Sequence, residues 1–418
     1  MRFAVVLACL LAGCTLDRSP IDPGPRDAST PAADGGSGDG GAVQPDARVR
    51  DGGGPLDAGP PDGGGAVGVV AIAAGRAFTC ALRSNGEVSC WGDNADNQLG
   101  DVEVASSEGA IAIALPGRAT AIAAGDAHAC AILSDARLFC WGNNDQGQVD
   151  GTMADPVPVP TLIHAGVHAV ALGGKHSCLL DSAGAARCWG ENADGQLGLG
   201  DRDDRDAPAE VTFGGSWSAL ALGGQHSCGI ASAGGALWCW GKNDKGQIGD
   251  GSTTGREVPT LIDAIGTAVE GIGAGALHTC ALRAGVALCW GEGADGRLGI
   301  GSSSVEPVPT LVPSLTEPLF IDGGLAHGCA LRTEGRVSCW GKDDRAQLGA
   351  SATGTGGRNS PLGVPLTGVA SALAVGGEHN CAIIAGEVWC WGDDDRGQLG
   401  SGASGTAPRD VAVLVSDP

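Results

Sequence analysis

From about residue 66 to the end, short apolar runs alternate with Gly-, Asp- and Asn-rich turns, and no segment sustains the 3.6-residue apolar spacing of a helix. Each unit opens on a run of small and branched residues ending in Ala-Gly or Gly-Gly, as at Ala74-Gly75, Gly173-Gly174 and Gly376-Gly377. His-x-Cys-Ala-Leu follows, then a turn, an apolar-x-Cys-Trp-Gly run, and a polar loop ending Gln-Leu-Gly. Runs of this length bounded by turn residues predict strands, and the fold class expected is all-β.

The units recur. Cysteines pair along the chain as Cys80/Cys90, Cys130/Cys140, Cys178/Cys188, Cys228/Cys239, Cys280/Cys289, Cys329/Cys339 and Cys381/Cys390, and the first members lie 50, 48, 50, 52, 49 and 52 residues apart. A period near fifty signals a propeller or a solenoid. Within a pair, antiparallel strands keep a constant sum of residue numbers. Cys80 and Cys90 centre on Asn85, leaving the three-residue loop Ser84-Asn85-Gly86; Cys280 and Cys289 centre between Ala284 and Gly285, a two-residue hairpin loop. Changes in length fall in the turn, so the cysteines stay opposed, at a separation that a disulfide bridges. Each small closed loop is expected to contribute about 2–3 kcal/mol on the chain-entropy model. Structural disulfides persist in oxidising compartments, which places the chain outside the cytoplasm.

Alternation assigns faces. His128, Cys130 and Ile132 share one side of their strand and Ala131 points the other way, as do His278, Cys280 and Leu282 against Ala281. Adjacent Cys and Trp also take opposite faces. Both sides of each hairpin therefore carry bulk, as sheets stacked between neighbours require, and the small residues opening each unit suit wedge-shaped blades meeting at an axis.

Before residue 66 the composition changes. Arg2 precedes the apolar run Phe3–Ala12, too short to span a bilayer and typical of a secretory signal. It ends Leu11-Ala12-Gly13-Cys14, which resembles the lipobox of bacterial lipoproteins. That resemblance implies cleavage before Cys14, acylation of Cys14 and loss of Cys9 with a signal peptide of residues 1–13. Thr15 in place of aspartate then favours the outer membrane. Residues 14–65, rich in Gly, Asp, Pro and Ala, cannot bury enough apolar surface to offset ordering entropy and are expected to form a disordered tether with a reach of about 40 Å.

His-Thr-Cys-Ala-Leu at 278–282, Cys-Trp-Gly at 390–392 and Gly-Gln-Leu-Gly at 397–400 resemble the repeat of the regulator of chromosome condensation family. The resemblance covers residues 66–418 and implies a seven-bladed β-propeller. The strand-like tail Arg409–Val415 is expected to close the ring by pairing with the first blade. Phe78, Asp150 and Arg297 depart from the repeat at its His, last Gly and Gln positions. A role that needs every copy is thereby disfavoured relative to packing.

Candidate chemistry is sparse. His plus two cysteines per repeat is a conceivable zinc set, but export, the absence of CxxC knuckles and a cysteine-keeping repeat with Phe78 argue for disulfides and packed histidines, so neither metal nor cofactor is expected. Seven tryptophans fill the repeat position and read as core; Trp217, Trp238 and Trp389 lie outside it and are candidate surface anchors. Gly-x-Ser-x-Gly, His-Glu-x-x-His and dinucleotide motifs are missing, and Gly335–Lys342 fails the phosphate-loop spacing. No catalytic residue is assigned. Asp201–Asp206 and Asp393-Asp394-Asp395 are read as solvated turn residues.

With the tether's nine Asp and four Arg and Arg2 set aside, the propeller holds 39 acidic and 20 basic residues. Phosphate neutralisation needs cations, so nucleic acid is not an expected partner. Guanine-nucleotide exchange, implied by the family name, requires a cytosolic GTPase that an exported chain does not meet. The expectation is a cell-envelope lipoprotein, held to the membrane only by its lipid, whose propeller binds another protein or a surface polymer. The enzyme alternative is an extracellular polysaccharide lyase or hydrolase.

Overall fold

The computed structural model describes residues 67–418 apart from 103, 153, 351–356, 403–406 and 417. Cys9, Cys14, the signal and the tether therefore lie outside the described residues. Within them the chain forms seven four-stranded antiparallel sheets, each built from consecutive strands in chain order. In blade one the strands are Val69–Ala74, Phe78–Arg83, Val88–Asp93 and Ser106–Ala112. The first strand of every blade contacts those of its two neighbours, so seven inner strands ring an axis. Among the described residues helix is limited to three single 3-10 turns. This is a seven-bladed β-propeller.

The cysteines meet as the number parity requires. Each blade places one pair in register across its second and third strands: Cys80 opposite Cys90, Cys130 opposite Cys140, Cys178 opposite Cys188 and Cys228 opposite Cys239 in blades one to four. Cys280 faces Cys289, Cys329 faces Cys339 and Cys381 faces Cys390 in blades five to seven. All seven pairs are disulfides with Cα–Cα separations of 4.1 Å, and all fourteen cysteines are buried. The sequence separation varies between nine and eleven residues, at Cys381–Cys390 and Cys228–Cys239 for example, without changing the opposition. The extra residue in the blade-four hairpin falls in its turn, where Ala231 N–H bonds the Ala236 carbonyl. In blade one, Gly86 takes φ +86° in the turn.

Bulges recur at two places in each blade, before the third inner-strand residue and at the Trp of Cys-Trp-Gly. Such bulges increase local twist and re-aim one side chain. The side chain re-aimed here is Trp91 and its equivalents Trp141, Trp189, Trp240, Trp290, Trp340 and Trp391, all fully buried. Core clusters accordingly straddle seams: Cys130, Leu138, Cys140 and Val149 of blade two pack with Val167, Leu179 and Trp189 of blade three.

The axis is closed by glycine. A Cβ on Gly75, Gly125, Gly173, Gly223, Gly275, Gly324 or Gly376 would lie within 2.7 Å of the carbonyl oxygen of the corresponding glycine in the next blade, and the cycle returns from Gly376 to Gly75. Backbone hydrogen bonds run alongside, including Arg76 N–H to Asp126 O, Asp126 N–H to Gly173 O, Gly174 N–H to Gly223 O and Gly377 N–H to Gly75 O, at 3.1–3.2 Å.

The tail does not behave as expected. Arg409–Leu414 pairs with Glu387–Gly392 as the outer strand of blade seven. Blade one already owns its outer strand, Ser106–Ala112, so no edge is left for the tail. The first and last blades meet instead through the contacts used at other seams, with Val69 N–H on the Gly386 carbonyl at 2.9 Å and the Trp91 indole on the Gln398 carbonyl at 2.9 Å.

Gly125→Ala should destabilise the propeller by about 2–3 kcal/mol, because its Cβ meets both the Gly173 carbonyl oxygen and the His128 ring. Gly109→Ala, in open space on an outer strand, should stay within about 0.5 kcal/mol of the parent. Urea midpoints decide, and equal shifts for the two variants would refute an axis closed by glycine.

Candidate binding face

Five of the seven seams carry one polar relay, built from residues about fifty positions apart in the repeat. His128 Nε2 lies 2.9 Å from Ser177 Oγ in the next blade, and that hydroxyl donates at 2.8 Å to the Gln148 carbonyl back in the first. The hydroxyl has one hydrogen and gives it to the carbonyl. It must therefore accept from Nε2–H, which fixes the imidazole tautomer. His176–Ser227–Gln196, His226–Thr279–Gln247 and His379–Thr79–Gln398 repeat the arrangement. At the sixth seam Asn380 does both tasks, accepting from His327 through Oδ1 and donating to the Gln347 carbonyl through Nδ2. The relay carbonyls of Gln196, Gln247, Gln347 and Gln398 also take the indole N–H of the next blade's tryptophan, Trp240, Trp290, Trp391 and Trp91, and the Gln98 carbonyl takes that of Trp141 at the seam without a relay. Phe78 faces a blade whose equivalent residue is Ala129, so the polar pair is there replaced by an apolar one.

Burial drives the imidazoles well below their ordinary range, to about 4 for His128, His226 and His327 and about 3 for His176 and His379, with desolvation the main cause. They are neutral packing groups.

The polar loops hang from a second repeated device. The Asn94, Asn144, Asn192 and Asn243 carboxamides accept the N–H five residues on and donate to loop carbonyls such as Val104 O, Ala154 O, Asp203 O and Thr254 O. Blades six and seven use Asp343 and Asp394, which accept from Leu348 and Leu399 N–H. This overturns the reading of Asp393 and Asp394 as solvated, while Asp395 is exposed: Asp394 is 2% exposed, and burial pushes its carboxyl up to about 6. Asp393 is also buried and accepts from Gln398 Nε2 at 2.6 Å. Asp201 likewise takes Arg205 and the Asn192 amide. The carboxylates brace their own loops.

Trp217 is not a surface anchor. It opens the inner strand of blade four, is 3% exposed, and stacks on Phe213 at 3.9 Å in room left by Gly229. Phe213 in turn meets the Trp238 ring edge-on at 4.8 Å. Trp238 and Trp389 are half-buried, with indole N–H groups enclosed. The sequence lacked any signal that residue 213 would supply the stacking partner.

Antiparallel order puts the first–second turns and the long third–fourth loops of every blade at one end of the propeller, and the hairpin turns and inter-blade links at the other. Charge divides between these faces. Among the described residues, turns and loops on the loop face carry 21 Asp and Glu against nine Lys and Arg, while the link face carries five against two. Most loop-face cations are committed to neighbours: Lys175 to Asp145, Arg202 to Glu257, Lys245 to Glu292, Lys342 to Asp344 and Glu378, Arg345 to Asp395, Arg396 to Asp93. Asp203 and Asp395 remain exposed, as does Asp206 at the start of the outer strand Arg205–Glu210 that the loop leads into. The link face carries hollows of about 230 and 170 Å³ in blades one and six, each between a hairpin turn and a link. Their linings supply one carboxylate apiece, Glu87 and Glu334, not the pair that glycoside hydrolysis uses.

Seven disulfide-stapled blades with a His-x-Cys, Cys-Trp-Gly and Gln-Leu-Gly pattern define a propeller of the regulator of chromosome condensation type. The model of the RCC1-like domain matches residues 55–317 and that of the regulator of chromosome condensation (RCC1) repeat matches 320–347, and the chain belongs to this family. A Danio rerio relative, "Protein RCC2 homolog", is 51% identical over 49 residues, which is 12% of this chain and 10% of that protein. The chain thus matches about a tenth of that relative's length. Human WBSCR16 superposes with TM-score 0.68 at 26% identity, covering 76% of this chain and 88% of that one. Prp20p from Saccharomyces cerevisiae, described with its binding to Gsp1p and histones, gives TM-score 0.69 at 18% identity over 84% of this chain and 87% of its own. At that identity the likeness shows the fold alone.

Protonating the histidines should weaken the fold. Their native pKa values lie below the unfolded value near 6.5, so between about pH 6.5 and 4 the unfolded chain binds more protons and stability falls as pH drops. Asp322, raised to about 7 by burial, and Asp394 act in the opposite sense as pH rises. His128→Phe with Ser177→Ala, copying the Phe78/Ala129 pair, should flatten the pH dependence of the urea midpoint over this window by up to one proton. An unchanged slope would contradict neutral, buried imidazoles.

Proposed function

We propose that the chain is an exported, lipid-anchored binding module that presents its acidic loop face to a cationic partner protein in the cell envelope. The observation that carries this reading is the division of charge: the scaffold's cations are drawn into ion pairs while acidic side chains in the longest, least repetitive loops stay outward. An acidic face repels polyanions, which argues against nucleic acid and acidic polysaccharides, and steers basic surfaces toward it. Export is supported by seven fully buried disulfides and by the Leu11-Ala12-Gly13-Cys14 run, with Cys14 as the acylation site. The first inner strand begins at the link face, opposite the proposed binding surface.

Mass spectrometry of the native protein should find diacylglycerol and an N-terminal acyl chain on Cys14 and no free thiol among the fourteen propeller cysteines. Reduced thiols would remove the case for export. Partner capture from envelope extract should weaken as salt rises from 50 to 500 mM. Asp203→Lys, Asp206→Lys and Asp395→Lys together should cost at least about tenfold in affinity, whereas link-face Asp263→Lys should leave it unchanged. Equal loss from both faces would sink the assignment.

A further inference from the structure

The seam between blades five and six departs from the other six at several positions together. Gly271 and Gly273 stand in the inner strand of blade five where other blades carry Ala, and Phe320 and Asp322 of blade six occupy the matching positions. Gly323 stands where other inner strands end in Ala, Leu or Val, and the His278 ring lies over it, in space a Cβ there would take. Arg297 replaces the glutamine whose carbonyl anchors the relay, and Gly328 replaces the Ser, Thr or Asn that completes it.

Two groups are affected. His278 is fully buried, and its Nε2 has no hydrogen-bond partner among the described residues, in contrast to the other five buried imidazoles. The Arg297 carbonyl keeps the Trp340 indole at 2.9 Å, but position 328 brings it no second donor. A donor and an acceptor thus face one seam where elsewhere a hydroxyl oxygen serves both, at 2.8–2.9 Å from Nε2 and 2.8–3.1 Å from the carbonyl. A buried N–H left without an acceptor is costly, and such groups in native proteins are commonly satisfied by ordered water.

We propose that this seam holds one structural water molecule, which accepts a hydrogen bond from His278 Nε2–H and donates one to the Arg297 carbonyl. Water is the chemical equivalent of the serine hydroxyl: one oxygen that accepts from the imidazole and donates to the carbonyl. The Trp340 indole leans over the position of the missing methylene, with Cε2 2.9 Å from where a Gly328 Cβ would stand, while retaining its own bond to Arg297. The indole therefore takes the place of the carbon, and the oxygen's place is left to solvent. At the relay position itself, residue 328, the seam lacks the serine's CH2OH group, which leaves the place of one oxygen.

A crystal structure of the disulfide-bonded protein at 1.8 Å or better tests this directly. A density peak within about 3.2 Å of both His278 Nε2 and the Arg297 carbonyl oxygen is expected, and no peak within 3.5 Å of Nε2 would overturn the proposal. A pair of variants gives a second readout. Gly328→Ala and Gly328→Ser bring the same Cβ against Trp340, so their difference isolates the hydroxyl. The Ser variant should displace the water, carry Oγ in its place, and unfold with an equilibrium constant about tenfold smaller than that of the Ala variant. Equal stability of the two, or a Ser variant that retains a water on Nε2, would refute the site, and if neither variant folds the parent density decides alone.

Discussion

Closure at the axis governs the whole molecule. Each inner turn must approach its neighbour closely enough that no Cβ fits between them, and the requirement holds at all seven seams in one cycle from Gly75 round to Gly376. Everything farther from the axis follows from that spacing. The imidazole relay comes next, then the indole on the glutamine carbonyl, then the ion pairs of the loop face. A seam is thus one wedge filled with progressively larger and more polar groups as it opens. Side-chain size along the repeat, Gly then His then Trp, follows the width of the gap.

The disulfides and the relays do different work. A four-stranded blade buries too little by itself to be stable, since both its faces require a neighbour. Each cystine, from Cys80–Cys90 in blade one to Cys381–Cys390 in blade seven, closes a hairpin inside one blade and lowers the entropy of the unfolded chain. It does nothing to hold blades together. The relays cross seams and are short, buried and directional, with the imidazole tautomer dictated at four of them by a hydroxyl that has only one hydrogen to give and at the fifth by the Asn380 carboxamide oxygen. Blade integrity is covalent and ring integrity is polar and apolar packing, so a tail strand exchanged between the first and last blades is unnecessary.

Much of this was legible in the residues. The number parity of the cysteines predicts their register, alternation predicts which faces are buried, and Gly-Gly predicts the crowded axis. Strand phase was not legible: a ring of identical repeats reads the same wherever the chain is cut, and only the geometry shows that the cut falls between complete blades. The relay was half visible. The residue before the first cysteine of the pair is Thr79, Ser177, Ser227, Thr279 or Asn380 in five blades, but its partner belongs to the preceding repeat. The two departures Phe78 and Ala129 lie one period apart and are a single apolar replacement at one seam, a pairing that looks like two unrelated changes along the chain. The buried carboxylates Asp393 and Asp394 were misread because an acidic triplet in a loop carries no mark of the N–H groups waiting for it.

Redundancy explains where the chain has drifted. Seven near-equivalent seams share the task of closing the ring, so one seam can lose several of its standard residues provided that shape is restored locally. Between blades five and six the inner strands approach closely, since a Cβ on Gly273 would meet the Ile321 carbonyl and the Asp322 Cα, and Arg297 reaches across with Nη1 on the Leu325 carbonyl at 3.1 Å. The carboxyl of Asp322 accepts the Gly323 N–H at 2.9 Å. The glycine cycle at the axis is kept even there, with Gly275 against Gly324. A fold whose specification lies in small residues at the axis and a buried indole per blade leaves most other positions free. That freedom is consistent with a common fold at 18% identity to the yeast propeller, and it is why binding properties cannot be carried across on the fold alone. The residues that distinguish one such propeller from another sit where the repeat stops constraining them, in the long loops of a single face.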